Sequence, residues 1–290
     1  MASHEFTSAR SPRIKGARRL AKRAFRRRER RFLAEGPQAV REAIAAPGRV
    51  HEVFATAEAA QRHADLLDAA DAHGAAVHRV TLEVMTEIAQ TVTPQGLLAV
   101  CDFVDVELGE IGPTRLVAVL SHVRDPGNAG TVVRTADAAG ADAVVFTDDA
   151  VVFTDASVDP YNGKCVRASA GSLFHLPVVV GVPVAEAVGR LRGAGARVFA
   201  ADGGGERDLH GAADTGELDG PVGWVFGNEA WGLPEETVSL TDGAVAVPVY
   251  GGAESLNLAT AAAVCLYTTA RQQRGAAAAS GPAPRYAAEA

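Results

Sequence analysis

From Arg115 onward, short apolar runs alternate with helical stretches, and this alternation limits the fold of the 290-residue chain more than any other feature. "LVAVLS", "DAVVFT", "LPVVVG", "RVFAAD", "VGWVFG" and "GAVAVPV" read as strands. Helices are predicted over "AGTVVRTADAAG", "KCVRASAGSLF", "PVAEAVGRLRGAG" and "LPEETVSL", with "GGGERDLHGAADTGELDG" as a loop. A last helix opens at Ser255 and ends near Arg274. Strands that alternate with helices bury a mostly parallel sheet, so residues 115–274 are expected to form one α/β domain.

Ahead of it, residues 32–105 read as a smaller α/β unit and residues 106–114, rich in turn formers, as a linker. The low-complexity stretch 275–290 is expected to be a disordered tail. Residues 1–31 stand apart by charge. Up to residue 34 there are twelve Lys/Arg against two Glu, a net +10, whereas the remainder has sixteen against thirty-three, a net −17. A basic arm on an acidic body points to a polyanionic partner. Arg18, Arg19, Lys22, Arg23, Arg26 and Arg27 are its candidate nucleic-acid contacts, since neutralised phosphates release counterions.

No apolar run reaches membrane-spanning length, and the polybasic start lacks the apolar stretch of a signal peptide. Cys101, Cys165 and Cys265 are scattered, which argues against a disulfide framework or a zinc site and fits a reducing cytosol. No metal is expected.

Three loops in the larger domain carry polar residues beyond what a turn requires. In open α/β sheets ligands bind at the carboxyl ends of strands, so these loops should converge. The first, "DPGNAGTVVRTADAAG", puts Asn128 at a helix start and Arg134 six residues on. The second, "FGNEAWGLPEE", puts Asn228 and Glu229 directly after an apolar strand, where a charge is costly unless paired or solvated. The third, "VPVYGGAESLNLATAAAVCLY", puts Ser255 and Asn257 at the mouth of a helix. Capping of exposed helix N–H groups accounts for part of this pattern. The G-x-G-x-x-G fingerprint of a nicotinamide site is absent, which disfavours a nucleotide-dependent oxidoreductase.

Taken together, "NAGTVVR", "GNEAWGL" and "SLNLATAAA" resemble the three signature motifs of the SpoU/TrmH family of RNA ribose 2′-O-methyltransferases, within the SPOUT superfamily. The resemblance runs in order from Leu116 to Arg274. The N-terminal "FLAEGPQAVREAI" and "TPQGLLAV" are similar to the ribosomal-protein-like RNA-binding domain often fused ahead of it. Leu258 and Ala259 depart from the family's common Val-Ser pair, which a packed helix tolerates.

The resemblance implies S-adenosylmethionine held by the loops carrying Gly227, Val247 and Leu256. It implies a C-terminal trefoil knot, which sequence physics alone would not suggest. It also implies a homodimer, a cytoplasmic location and an RNA substrate, 23S rRNA ahead of tRNA. Arg134, Asn128, Glu229, Ser255 and Asn257 become the catalytic set. With a pKa above ~12, Arg134 suits a clamp on phosphate and developing alkoxide better than a base. A non-catalytic RNA-binding protein of the same fold is the rival, disfavoured by the presence of Asn128, Arg134 and Glu229.

Overall fold

Two sheets organise the residues that the computed structural model describes, 5–46, 48–147, 158–228 and 230–278. The N-terminal unit runs α1 (Pro12–Arg19), α2 (Arg23–Glu29), β1 (Arg31–Glu35), α3 (Pro37–Ala45), β2 (Val50–Ala55), α4 (Ala57–Arg62), α5 (Ala64–Ala72), β3 (Ala76–Arg79), α6 (Leu82–Ile88) and β4 (Leu97–Asp102). Its strands lie in the order β1-β4-β2-β3, with only β2 and β3 parallel. Alternation along each strand splits the apolar residues between two faces. Phe32, Ala34, Val53, Ala55, Leu97 and Ala99 join α3 and α5 on one side; Leu33, Phe54, Leu98 and Val100 join α1 and α6 on the other.

That second face corrects the expected boundary at residue 31. Ile14, Ala17 and Leu20 are 0–4% exposed and close one layer of the unit with Val84, Met85 and Ile88. Their three-residue spacing makes one apolar stripe, while Arg13, Lys15, Arg18 and Arg19 occupy the outer face. The basic segment is therefore part of the domain. α4 and α5 are separated at His63, whose φ of −125° and ψ of 40° leave the helical region.

The C-terminal unit runs β5 (Leu116–Leu120), α7 (Pro126–Ala139), β6 (Ala143–Thr147), α8 (Gly163–Ser169), β7 (Val178–Val182), α9 (Val184–Gly193), β8 (Arg197–Ala201), β9 (Arg207–Asp208), α10 (Leu209–Asp214), β10 (Val222–Phe226), α11 (Glu235–Leu240), β11 (Ala244–Ala246) and α12 (Leu258–Ala278). Its seven strands are parallel throughout, in the order β7-β6-β5-β10-β8-β11-β9. Every residue of β5, β6 and β10 is buried, as a sheet covered on both faces requires. α7 crosses α8 so closely that a Cβ on Gly130 would lie 2.3 Å from the Cys165 carbonyl oxygen. Trp224 of β10 is anchored to α12 by its indole N–H, which donates to Thr269 Oγ1 at 2.9 Å.

Three expectations change here. The segment read as a loop after β8 contains β9 and α10, because the Asp208 side chain caps α10 by accepting from His210 N and Gly211 N. The helix expected over "KCVRASAGSLF" ends at Ser169, where Ala170 (φ 49°) and Gly171 (φ 98°) turn left-handed. The last helix starts at Leu258 and runs to Ala278; the rest of the expected tail, 279–290, lies outside the described residues. Residues 106–114 also carry Leu108 and Ile111 into the core beneath β5 and β6.

The units are joined by polar contacts over a shared core. Tyr161 Oη accepts from Val104 N and Asp105 N and donates to Asp105 Oδ1 at 2.6 Å. Arg167 of α8 pairs with buried Glu35 of β1 at 3.1 Å. His175 bridges Asp137 of α7 and Glu42 of α3.

Candidate active site

At the carboxyl ends of β10, β8 and β11 the loops 227–233, 202–205 and 247–257 surround a cavity of about 660 Å³, within the usual range for small-ligand sites. Gly227, Val247, Leu256 and Ser255 all line it, as do Asp202, Trp231 and Glu254. Loop 227–233 folds back on itself. Asn228 N donates to Gly232 O at 2.9 Å, and Gly232 N donates to Asn228 O at 3.0 Å. A Cβ on Gly227 would sit 2.6 Å from the Gly232 backbone, so only glycine lets the chain close this tightly.

Asn228 is buried and braced, with Nδ2 donating to His122 O at 3.0 Å and Oδ1 accepting from Ala230 N at 2.9 Å. It ties the second loop to the second residue after β5. That residue, His122, is buried in the left-handed region (φ 56°), its ring 5.4 Å from the half-exposed Trp231 ring at the cavity rim. A bulky residue held there is a strained position of the kind that clusters at functional sites.

The third loop divides its labour. Asn257 caps α12, its Oδ1 accepting from Ala259 N at 2.9 Å, whereas Ser255 makes no cap and faces the cavity. In the first loop the expected cap is corrected: Asp125 caps α7 by accepting from Asn128 N at 2.9 Å. An ion pair with Lys164 holds the Asp125 carboxyl below its usual pKa, against the opposing effect of burial. Asn128 instead accepts from Asn257 Nδ2 at 3.2 Å, which links the first and third loops.

Arg134 is not brought into this cavity. It lies about 9 Å further along α7 than Asn128, exposed, and with no hydrogen bond or ion pair among the described residues. Glu229 lies outside the described residues. Asp202 and Trp231 were not singled out in the sequence. Asp202 carries the same signal as the others, a polar residue directly after an apolar strand.

The lining fits a cationic nucleoside. Phe226, Val245, Leu256 and Leu258 offer apolar surface for a ring, Asp202 and Glu254 offer carboxylates, and no Lys or Arg is among the described lining residues. A cofactor bearing a pyrophosphate would call for the opposite charge. Among the described residues there is no cluster of His, Cys, Asp or Glu able to hold a metal, and no helix long and apolar enough to cross a membrane.

The candidate contacts on the basic segment do not share one environment. Arg18, Arg19, Lys22 and Arg27 are exposed, Arg18 pairing with Glu87 at 3.0 Å. Arg23 is half-buried. Arg26 is 2% exposed: it donates to Leu20 O and Ala21 O, both at 2.8 Å, and pairs with Asp159 at 2.6 Å. Its donors are spent inside the protein, so its expected role as an RNA contact is withdrawn.

Comparison with known proteins agrees with this geometry. Residues 115–267 match the SpoU rRNA Methylase family, and residues 11–99 match an MRM3-like substrate binding domain. The chain is 34% identical to a 23S rRNA (guanosine(2553)-2′-O)-methyltransferase of Bacillus subtilis, over 91% of this chain and 98% of that one. An AdoMet-bound rRNA methyltransferase from Sinorhizobium meliloti superposes with a TM-score of 0.79 at 30% identity, covering 92% of this chain and 97% of the other. The SpoU methyltransferase AviRb from Streptomyces viridochromogenes, in complex with AdoMet, gives 0.77 at 28% identity, over 91% and 100%.

Proposed function

The chain belongs to the SpoU rRNA Methylase family, and from that premise we propose that it methylates a ribose 2′-hydroxyl of 23S rRNA with S-adenosylmethionine as donor. The observation that carries this reading is the glycine-closed cavity at the sheet's carboxyl edge, lined by Gly227, Val247, Ser255 and Leu256 and by carboxylates, with no Lys or Arg among the described lining residues. Bound there, S-adenosylmethionine supplies an electrophilic methyl carbon on a sulfonium. Asp202 and Glu254 complement its positive charge, and the closed loop 227–233 presents backbone edges to the ring. The bonded amides of Asn128 and Asn257 hold the mouths of the first and third loops together, and with Glu229 and Ser255 they orient the ribose. Positioning of this kind supplies about 7–11 kcal/mol of a barrier.

Arg134 acts on the RNA. Its guanidinium stays charged at any working pH, so it binds phosphate and the oxygen that loses its proton instead of accepting that proton. Its distance from the cavity in one chain supports a paired arrangement. So do the exposed apolar side chains Trp231, Val249, Tyr250 and Leu256 around the cavity mouth, and two copies of the chain meeting there form the homodimer of this reading. The trefoil knot belongs to the same reading. It is supported by the way segments 227–233 and 247–257 share one cavity while α12 returns over β5 and β10. The N-terminal unit reads the RNA, and a cytoplasmic location belongs to the same reading.

Calorimetry with S-adenosylmethionine, followed by transfer of a labelled methyl group to unmodified 23S rRNA, tests this function. Saturable binding that Gly227→Ala removes, with label entering 23S rRNA and not tRNA, is expected. Label entering only tRNA, or no cofactor binding, contradicts it.

A further inference from the structure

A second cavity, of about 270 Å³, opens between α2 and the carboxyl ends of β6 and β7. Arg23, Arg27 and Arg30 enter it from α2 and its C-terminal turn; Thr147 and Val180 enter from the larger sheet, and Val158 from the segment ahead of α8. Its floor is aromatic. Phe103 and Tyr161 stack at 3.8 Å, and the Arg30 guanidinium lies 4.7 Å from the Phe103 ring centroid. The two carboxylates at its edge are already engaged. Asp105 accepts from Tyr161 and Arg30, and Asp159 accepts from Arg26. Among the described residues, Arg23 Nε is buried without a hydrogen-bond partner and Arg27 is exposed with none. Three guanidinium groups converge here over an aromatic floor, with Arg27 and Arg30 open to solvent, which makes this a site suited to an anionic acceptor from outside.

Position identifies the acceptor. The cavity lies on the same edge of the seven-stranded sheet as the methyl-donor cavity, displaced by about three strand spacings, or ~14 Å. The end of β5 lies between them. We propose that Arg23 and Arg27, supported by Arg30, hold a backbone phosphodiester of the RNA strand a few nucleotides from the ribose being methylated. This rests on the RNA-methylating reading and deepens it: the basic segment acts here as a register pin at the junction of the two units. Phosphate contacts of this kind fix position without reading bases, and arginine's planar fork suits them.

The test compares wild type, Arg27→Gln and Arg23→Gln/Arg27→Gln on unmodified 23S rRNA, with Arg41→Gln/Arg62→Gln as a charge-matched control on exposed surface pairs. The double variant is expected to flatten the log–log salt dependence of binding by about 0.7, the share of one single-stranded phosphate, and Arg27→Gln by part of that. KM for RNA rises while kcat stays within about twofold, and the control matches wild type. Arg27 is exposed and has no partner to lose among the described residues, so its single variant gives the reading even where the double variant fails to fold. Wild-type binding and methylation with variants of unchanged slope and KM overturn the site alone. Wild type that neither binds nor methylates 23S rRNA overturns the functional reading and the site with it. Stabilisation of wild type, but not the double variant, by millimolar inorganic phosphate with RNA affinity unchanged assigns a free anion and also overturns the proposal.

Discussion

The cavity at β10, β8 and β11 is walled by glycines, apolar side chains and carboxylates, whereas the one between α2 and the ends of β6 and β7 is walled by arginines over an aromatic pair. The first suits a small cation held largely by backbone, the second a polyanion held by side chains. A site built from backbone leaves no charge signature in a sequence and is visible only as spacing. A site built from arginines is visible as charge, but charge does not say which arginine is free.

Arg26 and Arg27 put the largest number on that difference. Arg26→Ala removes one partner of a buried ion pair together with two carbonyl caps, and is expected to cost about 3–5 kcal/mol of stability. Arg27→Ala, one residue away and exposed, should stay within about 0.5 kcal/mol. Urea denaturation of both variants checks this, and equal losses would erase the distinction between structural and ligand-facing arginines.

Arg134→Ala sharpens the contrast from the other side. Turnover is expected to fall by about 10²–10³-fold, while affinity for S-adenosylmethionine in calorimetry stays within about threefold. Arg134→Lys should recover little, since a point charge cannot reproduce a planar fork. Loss of cofactor binding along with activity would move Arg134 into the donor cavity.

Within the third loop the same contrast separates neighbours. Asn257→Ala removes the cap of α12 and should cost about 1 kcal/mol of stability. Ser255→Ala, which caps nothing, should leave stability unchanged and weaken cofactor binding alone. Thermal denaturation and calorimetry distinguish the two, and reversed effects would undo the assignment.

The smallest effect lies at the junction of the units. Burial lowers the pKa of His175, but hydrogen bonds and charge from Asp137 and Glu42 outweigh it and leave the net pKa raised. The protonated bridge therefore contributes fully below about pH 6.5, the ordinary value, and is lost as pH rises through the raised folded value. With the imidazole 40% exposed, it is worth no more than about 1 kcal/mol. The stability gap between wild type and His175→Ala should be widest below about pH 6.5 and narrow as pH rises above it; a gap that widens with pH would refute the bridge.

Much of this was legible in the sequence, and for physical reasons. Strands buried on both faces have to be apolar throughout, so β5, β6 and β10 declare themselves. α10 did not, because Gly211 and Asp208 read as turn residues until Asp208 is seen capping the helix. The layer made by α1 was hidden because three apolar residues among many cations look like a solvated arm, and only the sheet supplies the surface they cover. Arg26 finds Asp159 across 133 residues, a pairing no local pattern encodes. Of the cavity's lining, Gly227, Val247, Ser255 and Leu256 are named by the resemblance of three ordered motifs. Asp202 was passed over because the glycines after it suggested a flexible loop.

The central claim is methyl transfer to a ribose oxygen, and the chemistry of the product tests it most directly. Blocking a 2′-oxygen removes the nucleophile that alkali uses to cut the adjacent phosphodiester. Exhaustive alkaline hydrolysis of 23S rRNA labelled by this protein from methyl-labelled S-adenosylmethionine should therefore release the label in an alkali-resistant dinucleotide. Label recovered only in mononucleotides would mean a methylated base and would contradict the account.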